Sequence, residues 1–227
     1  MNSPRRTHPT LFTQRNKDAG WCIIQAHSLL QEAIKNGKNS SFLMYAAFEM
    51  RTGIEQLMFT IIAACLTTKL TREVVDRCRK KDGLFTVLSD VESNYTLMCK
   101  FANALRAEEP RIPKIAEWDI KILKRRWNDL SSYCHSPLVI KDIEQPKWFE
   151  DGQKLIEETY DYFVNTLSGT AGTGAISSSG GPPIICQLQE DFLAKKITIE
   201  QVITRLRIIT PMLSSDSLTL KSGRFKK

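Results

Sequence analysis

The chain lacks most of what marks membrane, metal or hydrolytic chemistry. Its longest apolar run, LMFTIIAACL at residues 57–66, is far short of the ~20 residues that span a bilayer, so it reads as a buried core helix and no membrane partner is expected. The opening residues, MNSPRRTHPT, carry two arginines with no apolar segment behind them; they are not read as a signal peptide, and a cytoplasmic location is the default expectation. The six cysteines form no C-x-x-C pair and mostly sit inside helical patterns, which excludes a zinc-ribbon or disulfide framework and points to reduced thiols. Histidine occurs three times. No G-x-S-x-G, H-E-x-x-H or aspartate metal motif is present, so no metal and no cofactor is expected. GTAGTG at 169–174 lacks both the Lys-Ser/Thr that would follow a phosphate-cradling loop and a strand before it.

What is there is the composition of a globular protein: 227 residues, 42% hydrophobic and 25% charged. A main domain of roughly 150 residues buries about two thirds of its unfolded surface and needs no staple. The net charge of +7 favours anionic partners, nucleic acid first. A merely soluble basic protein is the plainer reading, because no RGG, zinc-finger or RRM signature accompanies the charge.

Sustained period-2 alternation is absent, and the apolar periodicity is helical throughout. The fold class is therefore all-α: a bundle of five or six helices with a small tethered C-terminal helical unit. Residues 1–10 are polar and read as a disordered N-terminus, 11–168 as the bundle, 169–183 as a Gly/Ser-rich linker, and 184–227 as a C-terminal helical appendage with a basic tail. Within the bundle the pattern predicts helices over about 11–35, from a cap at Ser40 or Ser41 to about 68, 72–81, 84–106, 118–137 and 146–167. Asp90 to Asn94 is a candidate break in the fourth. The first helix is expected to turn Trp21, Ile24, Leu30 and Ile34 inward, and the last Trp148, Leu155, Thr159, Phe163 and Leu167. A T-x-x-Q capping box at Thr198 and Gln201 starts a helix with the stripe Ile199, Val202, Ile203 and Leu206. One short helix cannot bury its own stripe; it either docks on the bundle or holds a protein partner.

Polar chemistry gathers on 118–137, WDIKILKRRWNDLSSYCHSP. Ile120, Leu123, Trp127, Leu130 and Cys134 step by 3 and 4, a stripe buried along one seam. At about 100° per residue, Asn128 falls near His135 in azimuth, Ser131 and Ser132 flank that line, and Lys124 extends it. Arg126 points to the opposite side. A solvated polar face ending in a dipole-favoured histidine explains this pattern without function. The functional reading is an anion site of Lys124, Arg125, Asn128 and His135, joined by Arg77, Arg79, Lys80 and Lys81 of the basic helix. Arg51 and Glu55, one turn apart, read as an i,i+4 ion pair or as a polar pair entering a site on the neighbouring helix.

The AAFEMRTGIEQL helix with Arg51 and Glu55, followed by a helix ending LSSYCHSP, resembles HEPN-type domains over roughly residues 15–168. That resemblance implies a helical homodimer and, for many members, metal-independent ribonuclease activity in toxin–antitoxin or antiviral systems. Their motif is an arginine, four to six residues, then a histidine, which would be His135. Asn128, Asp129 and Leu130 occupy the arginine's window, and an asparagine supplies no full positive charge to a phosphate. The expectation is therefore a non-catalytic HEPN-like binding or regulatory protein, taking RNA or a partner protein in a defence or stress-response system. Two alternatives are carried: a ribonuclease using His135 with Asn128 or an arginine from elsewhere, and an interaction scaffold acting through 197–208.

Overall fold

The computed structural model describes residues 18–66, 69–80, 82–112, 114–135, 145–170 and 182–212. The expectations placed on 1–17, on Lys81 and on the connector and linker segments outside these ranges lie outside the described residues. Among the described residues there are eight α-helices and no strand. They are α1 (Ala19–Lys35), α2 (Ser40–Leu66), α3 (Arg72–Cys78), α4 (Gly83–Glu108), α5 (Ile120–Ser131), α6 (Pro146–Leu167), α7 (Pro183–Leu193) and α8 (Ile199–Ile209), with a closing 3-10 turn, Thr210–Met212. The all-α bundle is as the periodicity predicts.

Helix α2 is the centre. Leu43, Ala47, Met50, Ile54, Leu57 and Ile61 are all buried, as their spacing requires. Helices α1, α4, α5 and α6 pack around it, and each fully buried Leu, Ile or Met contributes ~1.5–3 kcal/mol of transfer free energy. The cap of α2 is not Ser40 or Ser41: the Asn39 carboxamide accepts from the Ser41 and Phe42 N–H groups at 3.0 and 3.3 Å.

Helix α1 departs in part from its predicted face: Leu30 is buried as expected and Trp21 half-buried. Ile24 and Ile34 are exposed, and the buried side is Ala19, Cys22, Ile23, Ala26, Leu30 and Ala33. Small residues let α1 close on α2 at Gly53, where an added Cβ would lie 2.8 Å from Ile23 Cδ1 and 3.1 Å from the Ala19 carbonyl. Close backbone approach outweighs the larger side chains in choosing the face. In α6 the fully buried residues are Phe149, Gly152, Ile156, Thr159 and Phe163, while Trp148, Leu155 and Leu167 pack at the margin. Helix α4 runs through Asp90–Asn94 without a break.

The C-terminal helix docks on its own chain. Val202 and Leu206 are fully buried, with Ile199 and Ile203 packed alongside, in a second core built with Phe101, Leu105, Ile112, Ile185, Leu188 and Phe192. The stripe that could have held a partner is thus covered by the chain itself. Helix α7 is not among the predicted helices, although Ile185, Leu188 and Phe192 step by 3 and 4, and it supplies part of that cover. The Thr198–Gln201 capping box is formed as predicted.

Candidate functional site

Helix α5 starts where the Asp119 carboxylate accepts from the Lys121 and Ile122 N–H groups at 2.8 and 3.0 Å. It ends at Ser131, six residues before the expected stop, because the chain tightens into a turn: the Tyr133 N–H donates to the Leu130 carbonyl and the Cys134 N–H to the Ser131 carbonyl. The Cys134 thiol also donates to the Leu130 carbonyl, at 3.3 Å. Tyr133 pins this turn to α6. Its ring lies 5.0 Å from Trp148 and occupies the space that a Cβ on Gly152 would take, 2.6 Å from Tyr133 Cε1. His135, exposed, is carried at the end of the turn.

The inner edge of α5 meets α2 through one polar cluster. Trp127 Nε1 donates to Glu55 Oε1 at 2.8 Å. The Arg51 guanidinium lies 4.2 Å above the Trp127 ring and 3.3 Å from the same Glu55 oxygen. Phe85 of α4 also packs on the indole in an edge-to-face contact, at 4.8 Å. Arg51 Nε is buried with no hydrogen-bond partner among the described residues. Burial pushes the Cys134 thiol above its ordinary range, against the pull of the adjacent Arg51 charge, so the thiol stays protonated at neutral pH and is not an activated nucleophile. Arg51 and Glu55 form the expected i,i+4 ion pair and meet Trp127 of α5, and Arg51 reaches Cys134, one residue from His135.

Arg126 faces away, as its azimuth requires. Its Nη1 donates to Thr159 Oγ1 at 3.0 Å, and its guanidinium lies 5.5 Å from the Tyr162 ring. The two serines of the polar edge serve the backbone: Ser131 Oγ donates to the Trp127 carbonyl and Ser132 Oγ to that of Asp129, each at 2.7 Å.

The outward face of α5 is a run of donors. Lys121, Arg125, Asn128 and Ser132 are exposed. Lys124 stands at the edge of this face, its Nζ 3.4 Å from Ser89 Oγ and 5.3 Å from the Phe85 ring. From Lys124 round to Arg125, an arc of about 100°, α5 carries no carboxylate; Asp129 lies just beyond it. Sequence reasoning passes over Lys121, although its i,i+4 spacing to Arg125 is the available signal.

The basic helix joins this face with its charge largely answered. Arg77 pairs with Asp90 at 3.2 Å, next to the Ser89 that Lys124 meets, so Arg77 and Lys124 converge on adjacent residues of α4. Arg79 pairs with Asp76 at 3.0 Å, and Lys80 is exposed. Glu73, Asp76, Asp82 and Asp90 offset most of the positive charge of Arg72, Arg77, Arg79, Lys80 and Lys81. Gly83 fixes the corner between α3 and α4, since a Cβ there would lie 1.8 Å from the Arg77 carbonyl oxygen.

Among the described residues no three His, Cys, Asp or Glu side chains group so as to hold a metal ion, and no helix is long and apolar enough to cross a membrane. No protein-family model, curated protein or solved structure matches the chain.

Proposed function

We propose that this chain is a non-catalytic, HEPN-like binding protein that takes RNA along the outward face of α5. The observation that carries the reading is the carboxylate-free arc of Lys121, Lys124, Arg125 and Asn128, with His135 in the turn that follows. Its cations recur at one helical turn, about 5.4 Å, and answer phosphates by charge, while Asn128 offers hydrogen bonds. Lys80 of the basic helix, exposed, adds to the face; Arg77 and Arg79, held by Asp90 and Asp76, contribute less. A cytoplasmic regulatory role in defence or stress response, with the chain as a homodimer, completes the proposal. The test is RNA binding by fluorescence anisotropy over a salt series. Lys121→Ala, Lys124→Ala and Arg125→Ala should each weaken binding and flatten the log–log salt slope by ~0.7 per lost contact to a single strand. Unchanged affinity and slope in the triple variant would remove the face from consideration.

One observation favours a second reading, a metal-independent ribonuclease. Arg51 of α2, which meets Cys134 beside His135 and shares its charge with Glu55, would be the arginine from elsewhere. RNA cleavage in EDTA that is lost in both His135→Ala and Arg51→Gln would replace the binding protein with this enzyme.

A further inference from the structure

Among the described residues two apolar cores share helix α4 but no residue. The larger, centred on α2, takes Val87, Leu88, Val91, Tyr95, Cys99 and Ala102 from α4. The smaller takes Leu97, Phe101, Ala104 and Leu105 from the same helix, Ile112 beyond it, and its remaining members from α7, α8 and the turn between them. No residue of α1, α2, α5 or α6 belongs to it. Among the described residues one ion pair joins α8 to α4, Arg207 Nε to Glu108 Oε1 at 3.1 Å. A parallel bridge between Lys114 and Thr170 places the end of the described part of α6 and its cap beside the loop that carries Ile112 of the smaller core. That placement keeps the local concentration of the unit high without tying it into the larger core.

We infer that residues 182–212 form a clasp that opens and closes on α4 as one unit while the bundle stays folded. Opening uncovers Leu97, Phe101, Ala104 and Leu105, an i, i+4, i+7, i+8 stripe. Cooperative local opening of this kind follows when a segment's buried contacts are confined to itself and one neighbour.

Amide hydrogen exchange on the full chain tests it with two variants. Leu206→Ala, in the smaller core, should raise exchange of α7 and α8 together by about tenfold or more and leave residues 43–62 of α2 unchanged. Leu123→Ala, in the larger core, should speed α2 and leave α7 and α8 at their wild-type rates. If Leu123→Ala accelerates α7 and α8 as much as α2, or Leu206→Ala accelerates α2 in step, the C-terminal helices open only with the whole protein and the inference fails. Separate rates for α7 and α8 would also overturn it. A Leu206→Ala chain that does not fold at all would show the two cores to be one cooperative unit and would overturn it equally.

Discussion

Trp127 and Glu55 lie 72 positions apart and join α5 to α2 by one hydrogen bond, indole Nε1 to Oε1 at 2.8 Å. The same oxygen receives Arg51, whose guanidinium covers the indole face. The three groups form a closed unit, and removing any one leaves the others underused. Trp127→Phe keeps much of the ring and loses the donor; it should cost about 1–2 kcal/mol in urea unfolding. A double-mutant cycle of Trp127→Phe with Glu55→Ala should show coupling of roughly 0.5–1.5 kcal/mol. Additive single effects would mean that the bond holds nothing together.

Gly152 sets the position of the turn that bears His135. A methyl group there enters the space of Tyr133 and, at 2.9 Å, of Leu43 Cδ2. Gly152→Ala gains up to ~1 kcal/mol of helix propensity and loses about 1–3 kcal/mol to overpacking, so the net effect should be destabilising. The Tyr133 ring must also move, and His135 with it. In an NMR comparison, His135 and Cys134 should shift while α1 remains as in the wild type. A more stable variant with an unmoved His135 would show that Tyr133 yields freely.

How far the sequence reaches is clearest on α5. The 3-4 spacing finds Ile120, Leu123, Trp127, Leu130 and Cys134, and every one faces the bundle, because a buried stripe is a local property of one helix. The early end at Ser131 escapes it, since the turn is held by Tyr133 packing on a glycine 19 positions away. The α1 face is misread in part for a related reason: alanine and cysteine carry little hydrophobic weight, yet their small size admits α2. Helix α7 hides behind a Gly/Pro-rich approach. Arg51 and Glu55 are legible as an ion pair but not as neighbours of Cys134, for that relationship depends on how two helices cross.

Two thiols packed into the bundle should make the fold sensitive to alkali. Cys65 is pushed up to about 12 by burial and by the nearby Cys99, and Cys99 to about 11, chiefly by burial. Their folded pKa values exceed the unfolded value of 9.0. The stabilisation is therefore complete below pH 9 and is lost as pH rises toward 11–12. Melting temperature should fall across that window, and Cys65→Ala with Cys99→Ala should reduce the drop by several degrees. An identical decline in the double variant would assign the alkaline sensitivity to other groups, Tyr95 first, whose hydroxyl burial also pushes up.

On the acid side two of the described carboxylates are held below the usual glutamate range: Glu200 in the first turn of α8, chiefly by the Thr198 hydroxyl, and Glu109. Glu109, at the end of α4, receives Arg111 through two side-chain bonds, Nε at 2.6 Å and Nη2 at 2.7 Å, and through the Arg111 backbone N–H at 3.2 Å. These bonds hold its carboxyl below the usual glutamate range. A folded pKa below the unfolded one contributes stability that is present above ~4.3 and is lost as pH falls through the folded value. Arg111→Ala removes the cause, so its urea midpoint should lie below that of the wild type at pH 7 and converge with it as pH falls through the folded value. The position of Glu109 beside Ile112 adds a second consequence: acid should loosen α7 and α8 before it loosens α2. Exchange of residues 183–209 followed from pH 6 down to pH 3, corrected for intrinsic rates, should rise earlier in the wild type than exchange of 43–62. Parallel behaviour of the two regions, with no change on Arg111→Ala, would show that the Glu109–Arg111 pair sits at the surface without bearing on the smaller core.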